Sequence, residues 1–107
     1  MDFTDMMKNF GNMKSRMEEI RQRVAKMHIS GEAGAGMVKV TVNGEGQVID
    51  VKIDRQLFGP EDNEMLEELL ISATNDALRK ARETLAHEMK GLTGGLNIPG
   101  LDKLFGM

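Results

Sequence analysis

The sequence contains no cysteine, tryptophan or tyrosine, and four phenylalanines supply its aromatic side chains. Without cysteine the chain can form neither a disulfide framework nor a thiolate metal site, so nothing in it requires an oxidising compartment. No stretch approaches the roughly 18 apolar residues of a membrane-spanning helix. The N-terminus also lacks the basic and apolar segments of a signal peptide. These absences predict a soluble, cytoplasmic protein.

The residues that are present fit one small globular domain. The 107 residues are 40% apolar and 29% charged, a typical globular composition, and a chain of this length builds one modest core. Ten methionines predict that this core is soft and aliphatic. The net charge of -3 argues mildly against a strongly basic nucleic-acid-binding domain. Where the charges lie therefore matters more than their sum.

Residues 2 to 28 show the clearest periodicity. Apolar residues alternate there between spacings of three and four, the a/d pattern of a helix in a left-handed helical packing. They are Phe3, Met6, Phe10, Met13, Met17, Ile20, Val24 and Met27. The pattern predicts a long helix with a packing seam from Met6 to Val24, which is buried either within one chain or between two.

The middle of the chain predicts a small antiparallel sheet. Two alternating runs, residues 38–42 and 49–53, flank the turn residues Asn-Gly-Glu-Gly and form a hairpin with one apolar face. A short strand at residues 28–33 would complete a three-stranded meander. A second long helix is predicted from near Pro60 to about Lys90. Its main apolar stripe consists of Leu66, Leu70, Ala73, Ala77, Ala81 and Leu85.

The expected fold is therefore α+β, with a small three-stranded antiparallel sheet flanked by two long helices in the order α-β-β-β-α. We expect this domain to span residues 1–90 and a Gly-rich, mobile tail to span residues 91–107. Two helices and a small sheet cannot cover all the apolar surface of the predicted elements. A homodimer is therefore predicted.

The glycines Gly31, Gly34 and Gly36 raise the alternative of a phosphate-binding loop. Such a loop needs a strand before it, a Gly-Lys-Ser/Thr ending and a helix after it, because the helix N-terminus holds the phosphate. Here a helix comes before the glycines and a strand after them, and Met37 stands where lysine would be needed. The order favours a tight joint between strands. A nucleotide-dependent enzyme is the third and weakest alternative.

No catalytic group or metal site is predicted. The acidic residues near the start of the second helix are explained by the helix dipole, and no histidine lies close to them in sequence. They are Glu61, Asp62, Glu64, Glu67 and Glu68. His28 and His87 are isolated in the sequence. We expect no enzyme activity, no cofactor, no metal and no small-molecule substrate.

The basic residues define the candidate site. Suppose that the two helices lie side by side, the first meeting the sheet near residue 28 and the second leaving it near residue 62. Because both helices rise about 1.5 Å per residue, two residues at the same distance from the sheet then have numbers that sum to roughly 90. This layout pairs Arg23 with Glu67 and sets Lys8 level with Arg82. The distal ends of the helices then carry a basic patch. Its predicted members are Lys8, Lys14, Arg16, Arg79, Lys80, Arg82 and Lys90.

A dimer would duplicate this patch as two basic prongs able to hold the phosphates of duplex DNA. The sequence shows no major-groove recognition element and no stacking aromatic residues, so low sequence specificity is expected. The alternative is a scaffold protein whose helical prongs contact another protein. The basic residues would then only keep the prongs soluble, without contacting DNA.

The stretch SGEAGAGMVKVTVNGEGQVIDVKID, followed by LEELLISATNDALRKARE, resembles the YbaB/EbfC family of bacterial nucleoid-associated proteins. The likeness extends to the Met-rich first helix and the Gly/Pro-containing tail. The resemblance implies a tweezer-like homodimer with α-β-β-β-α protomers and no defined catalytic residues. It further implies DNA contact through the protruding helices, association with the nucleoid and an influence on gene expression.

Overall fold

The computed structural model describes residues 2–92. Three strands form one antiparallel sheet in the order β1-β2-β3. Along the chain, one long helix precedes the sheet and another follows it. The elements are α1 (Phe3–Ala25), β1 (Ile29–Ala33), β2 (Val38–Val42), β3 (Val48–Ile53), a 3-10 turn (Arg55–Phe58) and α2 (Asn63–Leu92). This architecture confirms the predicted α-β-β-β-α fold. The 3-10 turn was not predicted. The tail was predicted to begin at Gly91, but α2 continues through Leu92; the rest of the predicted tail, residues 93–107, lies outside the described residues.

The glycine cluster forms the joint between β1 and β2, as predicted. Gly34, Ala35 and Gly36 have φ angles of 63°, 54° and 86°, a left-handed region in which glycine is far less strained than other residues. The Met37 N–H donates to the Gly34 carbonyl at 3.1 Å and closes the turn. The cluster connects two antiparallel strands and does not open a helix, so it lacks the context of a phosphate-binding loop.

The core lies between α2 and one face of the sheet. The three valines of β2 are fully buried, and they face an alanine stripe on α2 made of Ala73, Ala77 and Ala81. Gly31 of β1 lies directly against the backbone of Ala73 and Ala77, where a β-carbon would overlap with main-chain atoms. Leu57 of the 3-10 turn completes the core and is 2% exposed. Small residues on both sides thus allow the helix and the sheet to approach closely.

The C-terminal end of α1 docks on the turn between β2 and β3. The Gly44 N–H donates to the Val24 carbonyl at 2.7 Å, and Val24 is buried. The side-chain oxygen of buried Asn43 accepts hydrogen bonds from the Glu45 and Gln47 N–H groups, each at 3.0 Å. The turn is therefore internally bonded and holds the base of α1.

The predicted seam of α1 is buried near the C-terminal end of the helix and exposed toward its N-terminal end. Ile20 and Val24 are buried and Met17 is half-buried, whereas the seam residues before them are exposed. These are Met6, Phe10 and Met13, with exposed fractions of 55%, 71% and 48%. Only the end of the seam is covered within one chain. We call residues 3–15, where the seam is uncovered, the α1 arm.

Candidate functional site

Charge is distributed unevenly along the two helices. α1 carries five basic and three acidic side chains. In α2, residues 63–78 include four acidic and no basic side chains, whereas residues 79–92 include four basic and two acidic ones. The net charge of -3 therefore hides two positive segments, α1 and the second half of α2.

The relative position of the two helices differs from the predicted layout. Arg23 pairs with Glu88, at 2.9 Å between Nη2 and Oε2, and not with Glu67. The prediction assumed that α2 leaves the sheet near residue 62, but the helix remains packed on the sheet as far as Ala81. Because each helical residue rises about 1.5 Å, Lys8 lies about 30 Å beyond the level of Arg82 along the helix axes. The expectation that Lys8 and Arg82 share one distal level was wrong.

Three of the predicted site residues lie on α1. Lys8, Lys14 and Arg16 are exposed, and none of them forms an ion pair within residues 2–92. Lys8 and Arg16 are eight residues apart, so they point to the same side of the helix about 12 Å apart. This positive side is turned away from the apolar row of the α1 arm. The α1 arm therefore presents Lys8 on the side opposite its Met and Phe side chains, whereas Lys14, about 120° around the helix from Lys8, lies beside the apolar row.

Two predicted residues of α2, Arg79 and Lys80, are held by acidic neighbours. Asp76 accepts from Arg79 at 2.8 Å and pairs with Lys80 at 3.1 Å, and Arg79 also pairs with Glu83 at 2.8 Å. The hydrogen bond from Arg79, followed by that from Lys80 and the Glu32 N–H, lowers the pKa of Asp76 to about 2. Asp76 in turn raises the pKa of Arg79. These two cations are therefore largely neutralised where they stand.

The remaining predicted residues lie elsewhere on α2. Arg82 is exposed and faces the turn between β2 and β3, where it lines a cavity of about 270 Å³ with Glu45. Lys80 faces the other side of the helix, because its Nζ reaches the Ser30 carbonyl of β1 at 3.3 Å. Lys90 lies in the last turn of α2. The seven residues thus do not form one patch.

A groove between the helices brings together residues that sequence reasoning did not group. It has a volume of about 440 Å³, and Arg16 of the predicted site lines it with Arg23, His87 and Glu88. His87 also lines a neighbouring groove of about 520 Å³ with His28, although the two histidines are far apart in the sequence. The alanine stripe was the signal that could have revealed these neighbours, since it keeps α2 on the sheet until Ala81.

The described part of the chain offers no arrangement for two other kinds of site. Within residues 2–92, no group of three or more His, Asp or Glu side chains is placed to hold a metal ion. None of the helices in this range is long and apolar enough to cross a membrane.

The α-β-β-β-α scaffold carries a first helix with five basic and three acidic side chains, and residues 3–15 of that helix are exposed. The chain belongs to the YbaB/EbfC DNA-binding family, whose model matches residues 1–96, and a DNA-binding family is not a class of enzymes. The chain is 43% identical over 101 residues to a nucleoid-associated protein of Desulfotalea psychrophila, covering 94% of this chain and 95% of the relative. It is 47% identical over 89 residues to one of Syntrophobacter fumaroxidans, covering 83% and 81%.

A solved structure has the same fold. The crystal structure of an uncharacterized Helicobacter pylori protein matches with a TM-score of 0.79 and 29% sequence identity, covering 88% of this chain and 99% of that one. The α+β architecture is thus common to this chain and its structural neighbour.

Proposed function

We propose that this chain binds duplex DNA in the bacterial nucleoid as a homodimer, mainly through phosphate contacts with low sequence specificity. Membership of a DNA-binding family supports DNA as the partner, and the names of the relatives support the nucleoid as the location. An influence on gene expression belongs to the same proposal, since proteins that cover DNA compete with others for it.

The single observation that carries the proposal is the positive charge of the α1 arm and of the helical turn that follows it, which contains Arg16. Lys8, Lys14 and Arg16 are exposed without ion-pair partners among residues 2–92, so they can reach phosphates without breaking an internal bond. Lysine and arginine contacts to phosphate release counterions and do not depend on base sequence. The predicted binding is therefore strong at low salt and weakly selective.

Uncovered apolar surface supports the homodimer. The α1 arm exposes Phe3, Met6, Met7, Phe10 and Met13, and β3 exposes Val48, Ile49 and Val51. The row on the α1 arm is contiguous because its residues follow the helical repeat, and exposed apolar surface of this kind marks an interaction site in a soluble protein. A second copy of the chain is the partner that a homodimer supplies.

The test is fluorescence anisotropy of a labelled duplex of about 30 base pairs at roughly 50 and 200 mM salt. The triple variant Lys8→Ala/Lys14→Ala/Arg16→Ala should bind more weakly, and its salt slope should fall by about 3 for each arm that contacts DNA. A matched control, Lys26→Ala/Lys39→Ala/Arg55→Ala, removes the same charge from other places and should retain most of the affinity. Equal losses in both variants would mean that the α1 residues are not the contact site.

The α2 residues are tested separately with Arg79→Ala/Lys80→Ala/Arg82→Ala. We expect a smaller loss than for the α1 variant, because Asp76 and Glu83 already neutralise Arg79 and Lys80. If wild-type protein binds no DNA at either salt concentration, the proposal fails. The alternative, a scaffold that contacts another protein through the apolar side of the α1 arm, would then be favoured.

A further inference from the structure

Two grooves meet at His87 in the second half of α2. On one side, His87 lines the groove of about 440 Å³ between α1 and α2, together with Arg16 and Arg23. On the other side, it lines the groove of about 520 Å³ with His28, the residue directly before β1. These are the two histidines of the chain, and both are exposed. A charged ligand on the surface can therefore reach either of them.

The fixed charges that line the two grooves cancel. Three lining residues are basic and three are acidic: Arg16, Arg23 and Lys80 against Glu19, Glu83 and Glu88. Their ion-pair partners Arg79 and Asp76 add one charge of each sign. Lys90 lies three residues beyond His87, in the last turn of α2. Because the fixed charges of the grooves sum to zero, the charge of the two histidines decides the sign of this surface.

Histidine is the side chain whose charge changes near neutral pH. It gains a positive charge as the pH falls from about 8 to 5, an interval in which lysine, arginine and most carboxylate side chains keep their charges. Protonation of His28 and His87 would add two positive charges to grooves whose fixed charges cancel. The surface would then attract phosphate groups at mildly acidic pH.

The basic side chains of the first groove have N–H donors available for a phosphate. A guanidinium group has five N–H donors, and the hydrogen bond from Arg23 Nη2 to Glu88 uses one of them at 2.9 Å. Arg16 has no ion-pair partner within residues 2–92, and a protonated histidine has two N–H donors. Arg16, Arg23 and His87 can therefore donate to one phosphate group while the Arg23–Glu88 pair persists.

We propose that the groove lined by Arg16, Arg23 and His87 is a second phosphate-contact site for DNA, which forms when His87 is protonated. His28 adds positive charge from the neighbouring groove. DNA affinity then rises as the pH falls from about 8 to 6. This inference rests on the DNA binding proposed above and extends the contact surface from the α1 arm, through Arg16, onto α2.

Proton binding and DNA binding are reciprocal in this site. If the protonated histidines favour DNA binding, DNA must favour protonation of the histidines by the same factor. The midpoint of histidine protonation should therefore move to higher pH when DNA is bound. A histidine that only supports the fold would not respond to DNA in this way.

The first measurement is anisotropy of the labelled duplex at about pH 6 and pH 8, in phosphate-free buffers of equal ionic strength. We expect wild-type protein to bind about threefold or more tightly at the lower pH and at roughly 50 mM salt. Its salt slope should also be steeper there by about 1 for each histidine that contacts a phosphate. The second measurement follows the imidazole protons by NMR against pH, with and without the duplex.

The variant His28→Gln/His87→Gln should lose most of this pH dependence. An α-amino group also titrates in this interval and stays in the variant, so comparison with the wild type isolates the histidines. Adding Gln56→His to the double variant places a histidine on the 3-10 turn, where it should not restore the dependence. His87→Lys carries a permanent charge and should show a steeper salt slope at about pH 8 than the wild type. Circular dichroism checks that each variant is folded.

The outcomes separate this inference from the proposed function. If wild-type protein binds DNA with equal affinity and salt slope at both pH values, or if the double variant keeps the full dependence, the groove site is overturned and DNA binding stands on the α1 residues. Protonation midpoints that do not move when DNA is added would also overturn it. If wild-type protein binds no DNA at either pH, the groove site and the proposed function both fail.

Discussion

The close approach of β1 to α2 is tested by replacing Gly31 with alanine. The added β-carbon would overlap with backbone atoms of Ala73 and Ala77, and its distance to the Ala77 α-carbon would be 2.8 Å. These are main-chain atoms of a helix, so no rotation of a side chain can relieve the overlap. The helix must move away from the sheet, and it would separate the alanine stripe from the buried valines of β2.

The expected cost follows from two opposing effects. Overpacking a well-packed core costs about 1–3 kcal/mol, and a backbone overlap belongs at the upper end of that range. Alanine restricts the unfolded chain more than glycine does, which offsets about 0.4–1 kcal/mol. We therefore expect Gly31→Ala to lower the free energy of unfolding by about 2 kcal/mol, a large share of the roughly 5–15 kcal/mol typical of a small domain.

The assay is thermal and urea unfolding followed by circular dichroism, with all proteins at one concentration because association shifts the melting temperature. A loss of about 2 kcal/mol corresponds to a fall of roughly 10 °C in Tm for a domain of this size. The matched control is Gly11→Ala in α1, where the added β-carbon meets nothing within 4 Å. This change should stabilise the helix by up to about 1 kcal/mol.

Opposite signs for the two glycine variants are the result that supports the packing described for α2. If Gly31→Ala melts at the same temperature as the wild type or higher, α2 does not lie against β1 at this distance. The alanine stripe would then need another explanation.

Two further changes test the ion-pair cluster and the core. Because Arg79 and Lys80 hold the pKa of Asp76 at about 2, below the value near 3.9 of an unperturbed aspartate, its stabilising contribution is complete above about pH 4 and is lost as pH falls toward 2. Tm measured against pH should therefore fall less over this interval in Asp76→Asn than in the wild type; equal slopes would contradict the assignment. Leu57→Ala removes a side chain that is 2% exposed and should cost about 2–5 kcal/mol in urea unfolding, whereas a loss below 1 kcal/mol would contradict its place in the core.

Local patterns in the sequence predicted the elements well. The alternating valines of β2 and the spacing of three and four in α1 depend on side-chain periods of single elements, so they need no knowledge of the rest of the fold. The 3-10 turn was missed because four residues are too few to show a period. Leu57 within it is nevertheless part of the core.

The candidate site was predicted less well, since it depends on how far α2 stays on the sheet. The basic residues were identified by type, and three of them, Lys8, Lys14 and Arg16, lie exposed on α1; their contact with phosphate stays a prediction. The prediction that Arg82 and Lys8 lie at the same level along the helices was wrong. The length of α2 in contact with β1 is set by the match between Gly31 and the alanine stripe. A pattern within one helix does not show where that match occurs.

By itself, the sequence determined the order and type of the long elements, the joint at Gly34 to Gly36 and the family to which the chain belongs. Only the tertiary structure decided that Arg23 pairs with Glu88 and that Lys80 reaches the Ser30 carbonyl of β1. The physical reason is the range of the interactions. Periodicity and turn chemistry act between residues a few positions apart, whereas these pairings depend on close packing between residues far apart in the chain.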